Sequence, residues 1–270
     1  MEFIEFLLIG LVAGSWGALI GAGGGFVIVP LLLLFSKDMS VAVVSAVSLF
    51  AVVGNGISGT IAYIRLKRID YRSGLIFLLA TLPGAGVGAY IVNYVDRSMF
   101  QLVFGSMLSL VAAYILTGRR RRAVLGPGSR SVREVIDTHG NAYQYTVRMR
   151  LGTVLTFAVG FFAGMLGVGG GVMNVPAFVL LLGIPIQVAT ATSQFMVMGT
   201  SLVATVTNYL QGDLSSLGVQ AVGLVLGTVI GAQLGARASS RISSEWLSRV
   251  LAVALMLTGV RLLISGASGG

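Results

Sequence analysis

Ten residues of this chain are written twice. Residues 21–30 read GAGGGFVIVP and residues 167–176 read GVGGGVMNVP, so four glycines and a proline recur at one spacing, 146 positions apart. Both copies lie inside strongly apolar stretches. Glycine there costs backbone entropy and contributes no side-chain burial, so its clustering requires a close approach to the main chain or backbone angles that other residues avoid. Any fold for this chain has to place two such breaks.

The surrounding composition restricts the folds further. Hydrophobic residues make up 56% of the chain and charged residues 10%, against roughly 45–50% and about 25% in soluble domains. That balance predicts an all-α integral membrane protein, with room for roughly eight to ten segments of about 20 residues. The opening MEFIEF has two acids and no basic residue, which reads as the start of a retained helix. The net charge of +9 does not point to nucleic acid, because eight of the basic residues fall between Arg119 and Arg150, where a membrane topology accounts for them. With no cysteine and one histidine, His139 in a polar linker, thiol chemistry, disulfides and His-based metal sites are not expected. No catalytic residue, metal ligand or cofactor is predicted.

The chain divides into a first membrane repeat over 1–117, a basic linker over 118–150 and a second repeat over 151–270. In each repeat an apolar run ends at the glycine phrase, a segment of about half a span follows, and three full spans complete the unit. Local matches support duplication: Gly54 pairs with Gly199, Thr60 with Thr205, and Gly84 and Gly88 with Gly227 and Gly231. The alternation over Ala142–Met149 suggests a small hairpin in the linker. If each broken pair makes two crossings or one re-entrant excursion, the halves have inverted topology. A cytoplasmic linker then leaves only Lys37, Arg97 and Arg261 of the 18 basic residues outside, with both termini outside, as the positive-inside rule favours.

Broken helices in matching positions of two inverted halves mark a transporter site near the membrane midplane. Where a helix restarts after Gly23, Gly24 and Gly25, or after Gly169, Gly170 and Gly171, its first turn offers free N–H groups and the positive end of its dipole to an anion. Tight helix crossing is the competing use of the same glycines. On the long spans, Ser48, Val52, Asn55 and Gly59 share one face, and Ser193, Val197, Thr200 and Ala204 the equivalent face. Ser48, Asn55 and Ser193 could replace part of an oxyanion's hydration or simply bridge helices. Asn174 and Gln194 have apolar counterparts, Ile28 and Leu49, which makes a site asymmetric. No charged residue is predicted at the centre of a span, which argues against a carboxylate cation site, a proton relay or a membrane-embedded enzyme.

With its two GxGGGx4P phrases and the Thr192-Ser193 pair, the chain resembles the TauE/SafE family of sulfite and sulfonate exporters over nearly its whole length. The resemblance implies a multi-pass permease of the bacterial inner membrane that carries small organosulfur or inorganic anions such as sulfite or sulfoacetate. The first half departs from it, with Val47-Ser48 in place of Thr-Ser. The residues leave open an anion channel, or a permease for another small carboxylate or inorganic anion. The GxxxG faces serve either packing within one chain or a homodimer. Cysteines introduced at Ser216 and Ser239 test the topology: a membrane-impermeant thiol reagent outside should label the first and not the second, and the reverse pattern rejects inverted halves.

Overall fold

In the computed structural model the described residues are 2–35, 39–117, 130–213, 218–239 and 244–267. The basic run Arg119–Arg122 and Ser216 lie outside them. The first half contains α1 (Glu2–Ile20), α2 (Gly25–Phe35), α3 (Val41–Arg65), α4 (Tyr71–Ile91) and α5 (Arg97–Leu116). A two-stranded antiparallel hairpin, β1 (Arg130–Ile136) and β2 (Ala142–Arg148), then leads into the second half. That half repeats the order with α6 (Met149–Leu166), α7 (Gly171–Pro176), α8 (Ile186–Leu210), α9 (Val219–Ala238) and α10 (Ser244–Ala267). The chain is an all-α membrane protein by its described spans. Among the described residues six helices are long and apolar enough to cross a membrane, and large apolar side chains such as Leu79, Leu110, Val154 and Leu257 face outward.

Local chemistry sets the helix ends. Ser40, Asp70 and Asp96 each accept from the backbone N–H three residues on, which caps α3, α4 and α5. Gly167 ends α6 in a left-handed conformation, φ +74°, where an L side chain is strained. The proline of each phrase acts differently in the two copies. Pro30 sits inside α2, which stays helical, whereas after Pro176 the backbone widens into a π-turn over Ala177–Leu181. The ring removes an N–H and crowds the preceding turn in both copies, and the π-turn follows it only in the second.

Glycines then decide which helices touch. Gly227, Gly231 and Gly235 of α9 lie directly on the backbone of α1 from Leu7 to Leu19, and Gly84 and Gly88 of α4 lie on α6 from Phe157 to Met165. In both pairs residue numbers rise together, so the helices run parallel, and each pair joins one half to the other. These GxxxG faces are therefore occupied within the chain. The register differs from the sequence match by one helical turn. Gly84 meets Phe157 O and Phe161 N, while Leu11 O and Ser15 N, 146 positions earlier, meet Gly231. Gly84 is thus the counterpart of Gly231, and Gly88 of Gly235. The sequence misleads because α9 carries glycines at 223, 227, 231 and 235, so a slip of four residues keeps glycine on glycine.

Equivalent helices meet head to tail. In α3 and α8, Gly56 faces Met198 while Gly59 faces Gln194; in α5 and α10, Gly105 faces Gly259 and Leu263 while Leu102 faces Gly266. Residue numbers run in opposite directions along both contacts. The same contacts sort the ends of the bundle. Phe3 lies by Gly223, Asn93 bonds Gln211 and Asp213, and Arg97 bonds the carbonyls of Leu33 and Met39. One end therefore gathers the start of α1, the end of α2, the end of α4, the start of α5 and the end of α8. Pair α1–α2 dips into the bundle from this end and returns to it. Pair α6–α7 starts beside the hairpin, and Leu182 and Ile184 come back to pack with Tyr145 and Val147, so it dips from the other end.

The hairpin is bound to that end by buried polar contacts. Arg68 donates to Asp137 through Nε (3.3 Å) and Nη2 (3.0 Å), with both side chains buried. Tyr145 donates to Asp70 (2.9 Å), and Arg133 donates to Ser73. Burial would raise the Asp137 carboxyl, but hydrogen bonds from the side chain and backbone of Asn141, from Arg68 and from the His139 N–H hold it well below the ordinary carboxylate value. Burial and the Asp70 carboxylate push the Tyr145 hydroxyl up, so it remains a donor. A depressed carboxylate stabilises the fold above its unfolded value of 3.8, and that contribution is lost only as pH falls toward the native one. The hairpin should therefore stay docked between pH 5 and 8. Asp137→Ala leaves Arg68 buried without its partner and should cost about 3–5 kcal/mol, read as a lower unfolding temperature in detergent and faster proteolysis within 130–148.

Candidate functional site

Two short stretches of main chain meet at the centre of the bundle. Glycines 21, 23 and 24 have φ of +70°, +78° and +84°, and glycines 167, 169 and 170 have +74°, +70° and +87°. The two phrases thus have the same backbone fold, one that L side chains resist at three of four glycine positions. The remaining glycine of each phrase is required by proximity. A Cβ on Gly25 would lie 2.6 Å from Gly167 O and 2.7 Å from Val168 Cα, and one on Gly171 would strike Gly21 O and Ala22. Each phrase is seated on the other.

Two valines complete the contact. A Cβ on Gly23 would lie 2.6 Å from Cγ1 of Val197, and one on Gly169 would lie 2.7 Å from Cγ1 of Val52. The valines come from equivalent positions of α3 and α8, and residues 21–26 and 167–172 are all buried. The phrases are closed off from both ends in this conformation. Gly25, Phe26, Gly171 and Val172 open the first turns of α2 and α7, and their N–H groups enter none of the turn and cap bonds of the described backbone.

The serines play a structural role around them. Ser48 Oγ donates to Gly167 O at 2.7 Å, and Ser193 Oγ donates to Gly21 O at 2.7 Å. These are the carbonyls left open where α6 and α1 end. A hydroxyl carries a single proton, so in this conformation neither serine has one to offer a ligand. Their placement on one polar stripe was legible from spacing; their commitment to carbonyls 119 and 172 residues away was not. Thr200 acts alike, donating to Gly169 O at 2.8 Å.

Asn55 and Gln194 come together as a pair. Gln194 Nε2 donates to Asn55 Oδ1 (2.8 Å), and Asn55 Nδ2 donates to Gly14 O (2.9 Å), so the two amides link α1, α3 and α8. Gln194 Oε1 has no partner. Asn174 stands apart from this pair: it is fully buried, both its amide atoms lack partners, and its Nδ2 lies 3.5 Å from a Cβ built on Gly170. Its counterpart Ile28 is also fully buried, so at this position only the second half has unmet polarity.

Among the described residues no cluster of three or more His, Cys, Asp or Glu could hold a metal ion. Buried charged side chains there are Arg68, Asp70 and Asp137, all at the hairpin end. The centre is built from backbone, hydroxyls and amides. Thr205 and Asn208 of α8 are buried as well; spacing alone does not mark them as site residues, although Asn208 continues the Ser193–Thr200–Ala204 stripe.

The chain is similar to known membrane transporter proteins over most of its length. A family model described as Sulfite exporter TauE/SafE matches residues 6–262. A Bacillus subtilis (strain 168) protein named probable membrane transporter protein YunE is 34% identical, over 98% of this chain and 99% of its own. A probable membrane transporter protein of Xylella fastidiosa (strain 9a5c) is 28% identical over 76% of this chain and 72% of its own. Another from Methanocaldococcus jannaschii, MJ0441, is 25% identical over 84% and 83%. No solved structure matches.

The geometry predicts a graded series. Ser48→Ala and Ser193→Ala each lose one carbonyl partner and should cost about 1 kcal/mol, seen as small and similar drops in unfolding temperature. Gly171→Ala places a methyl group into the Gly21–Ala22 backbone and should lower the yield of monodisperse protein far more.

Proposed function

The chain belongs to the sulfite exporter TauE/SafE family, and from that premise we propose that it exports small sulfur-containing anions, such as sulfite or sulfoacetate, by alternating access around its paired glycine phrases. It is a multi-pass membrane protein of a transporter family, and catalysis plays no part in this reading. The observation that carries the proposal is the seating of each phrase on the other, with the broken pairs entering from opposite ends. Two helix starts free of side chains then point their open N–H groups and dipoles toward one region, which suits negative charge.

Other features agree with it. Opposed numbering along α3–α8 and α5–α10 supports inverted repeats, and a repeat interface is where such carriers bind substrate. With the basic hairpin in the cytoplasm, the start of α1 and the end of α10 fall outside the inner membrane. Neutral N–H and amide donors at the centre suit an anion, and with the buried charged residues of the described chain all at the hairpin end, a carboxylate cation site is not favoured there. Gly23, Gly24, Gly25, Gly169, Gly170 and Gly171 would bind through the backbone, with Asn174 and the Asn55–Gln194 pair supplying amides. Ser48 and Ser193 would join only when their carbonyls are released. The closed state around the phrases is what an occluded carrier requires, since a pore would leave them open to both sides.

Purified protein should be stabilised against heat by sulfite, sulfoacetate or taurine, and sulfur-anion counterflow in proteoliposomes should saturate. Stabilisation by cations alone rejects the anion assignment. Gly24→Leu and Gly170→Leu, strained at φ of +84° and +87°, should lower the yield and abolish counterflow even in the fraction that elutes as a single species, and His139→Ala should leave both unchanged. Wild-type rates in both leucine variants return the glycines to packing alone.

A further inference from the structure

We propose that Thr205 and Asn208, on the last turns of α8, form a second station on the anion's route, at the end of the bundle away from the hairpin; this rests on the transport reading above. Asn208 is fully buried and Thr205 is 9% exposed, yet Thr205 Oγ1 and both amide atoms of Asn208 lack partners. The residues are three apart and share one helix face. Buried polar atoms in folded proteins are nearly always satisfied by protein or water, so three orphans within one turn mark a place where something else binds.

The first half shows what a purely structural solution looks like. Its counterparts, Thr60 and Tyr63, are both satisfied: Thr60 donates to Gln194 O (3.3 Å), and Tyr63 donates to Ala18 O (2.8 Å). The tyrosine ring fills its place at the hairpin end, which the hairpin also covers. In the second half the smaller asparagine leaves its amide unmet. Around it, Ala204 packs with Leu49 and Ala89, and Gln211 donates to Ala89 O, so the pair lies beside α3 and α4 near the outer end of α8. Its groups are an amide N–H2, a hydroxyl and one carbonyl, all uncharged. The amide N–H2 and the hydroxyl can donate to a small oxyanion shedding or regaining its hydration.

The natural absence of cysteine provides the test. In proteoliposomes of full-length protein, Thr205→Cys should react with a small anionic methanethiosulfonate reagent added at the side opposite the hairpin. The rate should exceed that of Leu110→Cys on the outer surface at least tenfold, and methanesulfonate should slow it at least threefold. An unreactive Cys at 205 in protein that still folds overturns the proposal. In parallel, Thr205→Val/Asn208→Leu removes the orphans isosterically; it should raise the unfolding temperature while cutting sulfur-anion counterflow at least tenfold. Unchanged counterflow overturns the station, and a fall in both stability and counterflow marks the residues as structural water partners and overturns it too. Should wild type carry no sulfur oxyanion, the functional reading fails, while anionic labelling at 205 still decides whether a route opens there.

Discussion

Each glycine phrase rests on the main chain of the other, and the rest of the molecule follows from that contact. Gly25 has room only because it lacks a Cβ against Gly167 and Val168, and Gly171 stands in the same relation to Gly21 and Ala22. Bringing two backbones this close inside an apolar bundle exposes carbonyls and N–H groups that no water can satisfy. The carbonyls are met by Ser48, Ser193 and Thr200, whose placement fixes α3 and α8 against the breaks. The N–H groups of Gly25, Phe26, Gly171 and Val172 enter no such turn or cap bond. The structure thus separates the polar backbone into a part used for holding the fold and a part left over.

Polarity in the membrane interior has a cost, and its distribution is uneven. α8 has the same length as α3 but is not among the six helices apolar enough to count as spans. Its Thr, Ser, Gln and Asn residues are mostly buried. Some bond to neighbouring helices, a contribution of about 0.6 kcal/mol each; others find nothing. In a protein that has only to be stable, such orphans would be replaced by apolar side chains, as Ile28 and Leu49 stand opposite Asn174 and Gln194. Their concentration on one half points to a task other than packing.

The hairpin supplies a contrast. There the fully buried charged residues are paired, Arg68 with Asp137 and Asp70 with Tyr145 and Arg133, although the half-buried Arg148 keeps one guanidinium nitrogen without a partner. Tyr145 and Val147 add an apolar face against Phe77, Phe178 and Leu182. This end of the bundle is tied together by elements from both halves and the linker between them. The alternation over Ala142–Met149 was enough to foresee strands, but its docking site on the α3–α4 loop was invisible, because the contacts span 60 to 75 residues.

By itself the sequence determined the membrane class, the two halves, the broken helices and the glycine phrases as their joint feature, because these depend on composition, local apolar runs and a repeat that can be read directly. It also identified the polar stripe on which Ser48, Asn55 and Ser193 stand. Only the tertiary structure decided that the phrases touch, that the serines hold glycine carbonyls, that Asn55 pairs with Gln194, and that Gly84 answers to Gly231. The reason is physical: a helix with glycine every four residues fits a partner at several registers, and a hydroxyl bonds whichever carbonyl packing brings near. Those choices are made by close contact between segments more than a hundred residues apart, where local periodicity carries no information.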